Sequence, residues 1–223
     1  MNEAARDVVR KLAASYHAEG KPLGWFEPVY QQAAGSTDAI PWADLKPNHN
    51  LTDWLDENPI NEGASALVVG CGLGDDAEEL ARRGMDVTAF DIAPTAIQWC
   101  RQRFPDSRVR YEVGDVLSLP AAWRGRFDLI VEIYTLQALP AELRGAAMRG
   151  LAGALAIEGR LLIVCRGREP EDPKGELPWP LTRAEFDPLR EVLNERSFED
   201  YLDGQGEPVR RFRVVLERAA SPR

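Results

Sequence analysis

The feature that most constrains this chain is an apolar run, Ala66–Val69, that leads directly into three glycines at alternate positions, Gly70, Gly72 and Gly74. Glycine adopts positive φ easily and lets a ligand approach the bare main chain. A helix that begins directly after such a turn aims its first N–H groups at the ligand. The segment therefore predicts a strand, a ligand-binding turn that we call the glycine loop (Gly70–Gly74), and a helix.

From Gly63 onward, short apolar runs alternate with amphipathic segments, which is typical of βαβ units and a parallel sheet. The length of 223 residues, 44% of them apolar, suits one α/β domain. The predicted strands are Ala64–Val69, Asp86–Phe90, Val109–Val113, Phe127–Ile133 and Arg160–Cys165, and the predicted helices are Asp75–Arg83, Pro94–Phe104 and Ala141–Ala156.

Both ends of the chain depart from this alternation. Residues 1–60 combine helical spacing with many aromatic and proline residues, and we expect an N-terminal helical lid there and a core at 61–223. A capping box that begins at Thr182 predicts a helix to about Arg196. Two strand-like runs, Ser197–Leu202 and Val209–Leu216, flank turn residues 203–206 and predict a closing hairpin.

The residues after the glycine loop indicate what it binds. A dinucleotide-binding turn would place Gly or Ala at position 75, where this chain has Asp75, and Asp76 follows. Two carboxylates at this mouth would repel the pyrophosphate that a helix N-terminus attracts. A cationic ligand without phosphate fits better, and S-adenosylmethionine (SAM) carries a sulfonium and an ammonium group. An NAD(P) oxidoreductase is the alternative that Asp75 disfavours.

Two further acidic residues follow the second and third predicted strands. Asp91 lies about 20 residues after the first glycine, the spacing at which a carboxylate accepts both ribose hydroxyls. Asp115 stands where a carboxylate accepts a hydrogen bond from the adenine amino group. The alternatives are that Asp91 caps the next helix and that Asp115 forms an Asx-turn.

The fourth predicted strand ends at the crevice where open α/β sheets bind ligands. Glu132, at this end, is expected to face the methionine part of the cofactor or the acceptor. Tyr134, just beyond it, is expected in the acceptor pocket, because loops after strands carry function. Asp128, at the opposite end, is expected to be structural.

Residues 63–165 resemble the class I SAM-dependent methyltransferases, because the four motifs described above occur in the same order in that family. More narrowly, the chain is similar to the thiopurine, thiol and halide methyltransferases in Gly24–Glu27, Pro41-Trp42, the glycine loop with its Asp76, and Pro178-Trp179. It departs from that group just before Trp179, where Gly-Pro-Pro-aromatic is common. This loop is expected to border the acceptor pocket.

The resemblance implies an α/β, Rossmann-like class I methyltransferase fold. Its sheet would have seven strands, mostly parallel with the last one antiparallel, and helices on both faces. The resemblance also implies in-line attack of a nucleophile on the sulfonium methyl group and release of S-adenosylhomocysteine (SAH).

Thiolates and halides need no general base, whereas a hydroxyl acceptor requires one. Candidate bases are scarce, since His17 and His49 are the only histidines. The favoured function is therefore methylation of a small-molecule thiol or a related soft nucleophile. The alternatives are an O- or N-methyltransferase of an aromatic, quinone-like or lipidic metabolite, and a SAM-binding regulator without activity.

The candidate site residues form two sets. The aromatic residues of the lid either close over the cofactor, with cation–π contact to the sulfonium, or pack in the core. Cys71 is expected to fill space and not to act as a nucleophile. The expected cofactor-binding residues are Gly70, Cys71, Gly72, Gly74, Asp91, Ile92, Asp115, Val116, Glu132, Trp25 and Trp42, and the candidates for a catalytic role are Tyr134, Glu132, His49 and His17.

Composition excludes other classes. The net charge of -9 and the lack of a Lys/Arg-rich run argue against a nucleic-acid substrate. No stretch approaches the roughly 20 apolar residues that span a bilayer, and no signal-peptide core is present, so we expect a cytoplasmic protein that binds no membrane. Three cysteines without a C-x-x-C pair predict neither disulfides nor a metal site. The expected partner is a small-molecule acceptor, and the expected state is a monomer or homodimer.

Overall fold

The structure, a computed structural model, describes residues 3–204 and 208–220, apart from the side chains of residues 3 and 4. The helices are α1 (Glu3–Ala18), α2 (Phe26–Ala33), α3 (His49–Glu57), α4 (Asp75–Arg82), α5 (Pro94–Arg103), α6 (Ala141–Ala154) and α7 (Asp187–Arg190). The strands are β1 (Ser65–Val69), β2 (Asp86–Asp91), β3 (Arg110–Val113), β4 (Phe127–Ile133), β5 (Leu155–Arg166), β6 (Asn194–Asp203) and β7 (Val209–Glu217).

All seven strands form one sheet in the order β3-β2-β1-β4-β5-β7-β6. Neighbouring strands from β3 to β5 are parallel, and β7 runs antiparallel to both β5 and β6. The expected mostly parallel sheet with an antiparallel last strand is confirmed. The chain order reverses between β1 and β4, so a crevice opens at the carboxyl ends of these two strands.

Buried apolar side chains cover both faces of the sheet. On one face, β4 and β5 pack against α6 and α7 around Phe127, Met148 and Leu189. On the other, β1 and β2 pack against α3, α4 and α5 around Leu51 and Leu80. None of the helices within the described ranges is both long and apolar enough to cross a bilayer.

The first two helices cover the edge of the sheet that carries the glycine loop. Val9 of α1 and Tyr30 of α2 share a buried cluster with Leu73 of that loop. In contrast, Leu51 of α3 packs in the same cluster as β1 and α4. The division into a lid at residues 1–60 and a core at 61–223 stays a prediction.

The segment after Thr182 differs from its prediction. The predicted capping box is present and begins a short 3-10 turn, but α7 ends at Arg190. Asn194 already pairs with Glu217 of β7. The predicted helix to about Arg196 is wrong, because pairing with β7 takes over the backbone hydrogen bonds of this segment.

The predicted closing hairpin is confirmed. Strands β6 and β7 pair along their lengths, as far as Asp203 opposite Val209. Gln205 and Gly206 of the predicted turn lie outside the described residues.

Candidate functional site

A cavity of about 810 Å³ opens at the carboxyl edge of the sheet, under the N-terminal helices. This volume lies in the range of small-molecule binding sites. Of the sequence-predicted site residues, the cavity wall includes Trp25, Trp42, His49, Gly70, Asp91, Ile92, Val116 and Tyr134. Those that do not line it are His17, Cys71, Gly72, Gly74, Asp115 and Glu132.

The glycine loop has the backbone geometry that its sequence predicts. Gly70 and Gly72 have φ of 59° and 54°, in the left-handed region that favours glycine. A Cβ at Gly70 would collide with the hydroxyl of Thr135, and one at Gly72 would lie 3.6 Å from the hydroxyl of Tyr30. The end of β4 therefore leaves no room for a side chain at Gly70, whereas at Gly72 the spacing is an ordinary contact and the positive φ alone favours glycine.

Asp91 is buried at the end of β2, where it lines the cavity. Its carboxylate accepts hydrogen bonds from the backbone N–H of Gly72 and of Ala93, both at 2.9 Å. Burial raises the pKa of Asp91 to about 6, although these two bonds act in the opposite direction. The side chain thus ties the glycine loop to β2 and keeps lone pairs for a ligand. The bond to Ala93 is an Asx-turn, and the alternative in which Asp91 caps the next helix is wrong, because the N-cap of α5 is Ala93.

Asp115 accepts a hydrogen bond from the backbone N–H of Leu117 at 2.8 Å, two residues along the chain. This is the Asx-turn that the sequence leaves open. The turn places the neighbouring Val116 in the cavity wall, while Asp115 itself stands beside it.

The two acidic residues after the glycine loop do not act as expected from the sequence. Asp75 forms a bidentate ion pair with Arg103, at 2.9 and 2.8 Å. Asp76 accepts the backbone N–H of Asn48 at 2.7 Å, and burial raises its pKa to about 6. Neither residue lines the cavity. The expected repulsion of a pyrophosphate is therefore weakened, because one carboxylate is paired and the other is turned towards the N-terminal segment.

Glu132 is expected from the sequence to face the ligand, but it does not line the cavity. The side chain is fully buried, and its Oε1 accepts the backbone N–H groups of Thr135 and Leu136 at 2.6 and 2.9 Å. Burial raises its pKa to about 7. Glu132 therefore stabilises the turn after β4 and does not line the cavity, because its position on the strand turns it towards Arg144 of α6.

A histidine and an aspartate from opposite ends of the chain meet in the cavity wall. His49 is the first residue of α3, and its Nε2 lies 3.1 Å from Oδ1 of Asp203 at the end of β6. The Asp203 side chain is 8% exposed and that of His49 is 31% exposed. Arg211 also donates to Asp203, at 3.4 Å. If Nε2 carries the proton that Asp203 accepts, Nδ1 of the neutral imidazole is a proton acceptor.

Tyr134 takes its predicted place in the cavity wall. Its φ of 67° is unusual for a residue other than glycine and marks local strain. The guanidinium of Arg211 lies over its ring, 4.5 Å from the centroid. Burial raises the pKa of its phenol, so Tyr134 is neutral at ordinary pH.

The aromatic residues of the N-terminal segment are packed and also line the cavity. Trp25 is 1% exposed, stacks on Phe26, and has no hydrogen-bond partner for its indole N–H within the described part of the chain. Trp42 donates its indole N–H to the hydroxyl of Tyr30 at 2.9 Å. The sequence poses pocket and core as alternatives, and Trp25 satisfies both descriptions.

His17 and Cys71 lie outside the cavity wall. His17 contacts the carbonyl of Pro22 at 3.2 Å and stacks on Trp179. A hydrogen bond with Cys100 and burial raise the pKa of the Cys71 thiol well above its usual value. Cys71 is therefore a protonated thiol that fills space.

Sequence reasoning missed Asp203, Arg211 and Arg166, all of which line the cavity. The sequence places Asp203 in a predicted hairpin turn, and no local sequence pattern links it to His49, which is 154 positions away. Only the strand order brings these side chains to the crevice.

The comparisons with known proteins agree with this geometry. Residues 66–159 match the family model described as "Methyltransferase domain". The chain is 25% identical over 175 residues to a 2-heptyl-1-hydroxyquinolin-4(1H)-one methyltransferase from Mycobacteroides abscessus, a match that covers 76% of this chain and 74% of the relative. It is 34% identical over 131 residues to a ubiquinone biosynthesis O-methyltransferase from Xanthomonas campestris, which covers 56% of this chain and 54% of the relative. The chain thus spans about half the length of that second relative.

A solved structure shares the fold. The N-methyltransferase NodS from Bradyrhizobium japonicum, in complex with SAH, superposes with a TM-score of 0.69 at 21% identity, over 87% of this chain and 98% of that one. The domain match at residues 66–159, together with the fold and the glycine loop, supports a SAM-dependent methyltransferase. The relatives named above do not confirm the narrower resemblance to thiopurine, thiol and halide methyltransferases.

The residues present fit SAM. Gly70 lines the cavity with bare backbone, Asp91 offers a carboxylate from the wall, and Trp25, also in that wall, has an unused indole N–H. Within residues 3–204 and 208–220 no group of three or more His, Cys, Asp or Glu side chains is arranged to hold a metal ion.

Proposed function

We propose that this enzyme is an O-methyltransferase of a small aromatic or heteroaromatic hydroxy compound, with His49 as general base. The observation that carries the proposal is the His49–Asp203 pair in the wall of the cavity. A thiolate would need no such base, whereas a hydroxyl does. Two of the relatives described above, an O-methyltransferase and a methyltransferase of a hydroxyquinolinone, support the same choice.

The cofactor would lie at the ends of β1, β2 and β3. We assign the ribose hydroxyls to Asp91 and the adenine amino group to the free oxygen of Asp115, next to Val116 in the wall. Gly70 and Ile92 would contact the cofactor from the same side, and Trp25 would donate its indole N–H from above. SAM, when bound, supplies a methyl group already activated by the sulfonium.

The chain's own residues then have to place the acceptor and take one proton. With SAM bound, the acceptor oxygen would take the methyl group that the sulfonium gives up, SAH would be released, and the hydroxyl proton would pass to Nδ1 of His49. The resulting imidazolium is stabilised by the carboxylate of Asp203, which also holds the ring in position. The apolar side chains Val9, Leu23 and Leu177 in the wall favour an aromatic acceptor and exclude water from the reacting atoms.

The test measures SAH release from matched panels of phenols, hydroxy-heteroaromatics, thiols, amines and halides, with the wild-type enzyme and His49→Gln. Loss of a general base lowers kcat by roughly 10²- to 10⁴-fold for hydroxyl acceptors, and thiol turnover should not change. His17→Gln is the matched control, because this second histidine lies outside the cavity wall. Activity confined to thiols or halides, or hydroxyl methylation that survives in His49→Gln, would contradict the proposal.

A further inference from the structure

We propose that the acceptor carries a carboxylate or a similar oxyanion in addition to its hydroxyl, and that Arg166 at the carboxyl end of β5 binds this group. The inference rests on the proposed function for the hydroxyl and adds a charged recognition group to the acceptor.

The first observation is a pair of like charges in the sheet. Arg166 of β5 lies directly opposite Arg211 of β7 in the antiparallel register, and both line the cavity. Like charges at such positions destabilise a sheet. Two arginines opposite each other in a sheet are tolerated where a negatively charged group compensates their positive charge.

The second observation is that only one of the two arginines has a counter-charge. Arg211 donates to Asp203 and lies over the ring of Tyr134. Among the described residues, the half-buried guanidinium of Arg166 has neither a hydrogen-bond acceptor nor an ion-pair partner. Asp44 and Asp91, the other two acidic residues of the wall, are not bonded to it either.

The surroundings of Arg166 add positive charge. Arg6 and Arg10 of α1 also line the cavity, and burial lowers the pKa of Arg166, with further lowering by the charges of Arg211, Arg6 and Arg10. A guanidinium stays protonated in proteins, so this charge persists at ordinary pH. A ligand oxyanion would supply the missing negative charge, and the planar fork of arginine binds a carboxylate through two parallel hydrogen bonds.

The position of Arg166 favours the acceptor over the cofactor. In the strand order, β5 is separated from β1 by β4, which places it about 10 Å from the strand that feeds the glycine loop. The ribose and adenine would lie on the opposite side of β1, next to β2 and β3. An aromatic or heteroaromatic hydroxy acid therefore fits the cavity, with its hydroxyl towards His49 and its carboxylate towards Arg166.

Binding measurements test this inference without turnover. Isothermal titration of the SAH-saturated protein would compare hydroxybenzoates and hydroxyquinoline carboxylates with their matched carboxamides. We expect the acids to bind roughly 10- to 100-fold more tightly than the amides, as for hydrogen bonds to a charged group. Arg166→Gln should abolish this difference. Arg160→Gln is the matched control, because Arg160 lies on the same strand, pairs with Glu217 and does not line the cavity.

Two results would overturn the inference. One is equal binding of acids and amides by the wild-type protein. The other is a loss of SAH affinity of about tenfold or more in Arg166→Gln, since Arg166 would then hold the carboxylate of the cofactor. Arg166→Lys, which keeps the charge but not the fork, should retain part of the preference and serves if the glutamine variant does not fold.

The same measurements separate this inference from the proposed function. Binding of hydroxy acids that depends on Arg166, without methylation of any hydroxyl, would leave the anion subsite standing and refute the O-methyltransferase. Methylation of neutral phenols with the same kcat/KM as the acids would support the O-methyltransferase and refute the anion subsite.

Discussion

At the ends of β1, β2 and β3, the cavity is shaped by backbone, whereas beside β5 and the β6–β7 hairpin it is shaped by polar side chains. On the first side, the glycine loop and Asp91 are joined by a hydrogen bond to a main-chain N–H. On the second, His49 and Arg211 each contact Asp203 through side chains alone. The backbone side is fixed by the fold and suits a constant cofactor, and the side-chain side can vary with the acceptor.

The sharpest test of this division is Asp91→Ala. Removal of a carboxylate that accepts both ribose hydroxyls should weaken SAH binding by about 100-fold, since each hydrogen bond to a charged group contributes roughly 1.5–3 kcal/mol. Titration calorimetry with SAH measures the change, and Asp128→Asn, at the opposite end of β4, is the control. An unchanged SAH affinity would remove Asp91 from the cofactor side.

A smaller effect is expected from Asp203→Asn on the acceptor side. The amide no longer stabilises the imidazolium of His49, so kcat for a hydroxyl acceptor should fall by roughly 10- to 100-fold, the value of one charge-assisted hydrogen bond. SAH affinity should stay within about twofold of wild type. If SAH binding falls together with kcat, the two sides are not independent.

The pH dependence of cofactor binding gives a further comparison. In the free protein burial raises the pKa of Asp91 to about 6, and ribose hydroxyls that donate to its carboxylate would lower that pKa in the complex. The affinity for SAH should therefore be constant above pH 7 and fall by up to about tenfold per pH unit below pH 6. Calorimetry between pH 5 and pH 8 measures this slope, which Asp91→Asn should flatten. In the ligand-free protein, the stabilisation from this raised pKa is present at low pH and is lost as the pH rises through 6.

The smallest effect concerns Asp115. Asn keeps the Asx-turn to Leu117, but presents an amide N–H₂ where the adenine amino group needs an acceptor. We expect SAH affinity to fall by about three- to tenfold in Asp115→Asn, the range of a single neutral hydrogen bond, with an unchanged melting temperature. A change in stability without a change in affinity would assign Asp115 to the turn alone.

The same division explains what the sequence predicts. The cofactor side comes from one βαβ unit, in which the spacing from Gly70 to Asp91 is local, so the strand order and both residues are predictable. The acceptor side needs contacts such as His49 with Asp203, which are 154 positions apart. Such contacts follow from the pairing of β6 with β7 and leave no local pattern.

Two expectations failed for reasons of side-chain direction. The sequence predicts that the charge of Asp75 acts on the ligand, but Arg103 on α5 neutralises it in an ion pair. Glu132 stands at the correct end of β4 and points to the wrong side, because adjacent residues of a strand face opposite sides of the sheet. Position along a strand is thus easier to predict than the direction in which a side chain points.

The β6–β7 hairpin bears on how this enzyme can be redesigned. Asp203 and Arg211, which orient the proposed base and set the charge beside the acceptor, belong to this one hairpin at the margin of the sheet. Exchange of the hairpin between homologous enzymes would transplant both properties at once while β1, β2 and β3 keep their residues. A graft of this hairpin would therefore change the partner of the proposed base, whereas the proposed anion subsite at Arg166 of β5 would stay in place.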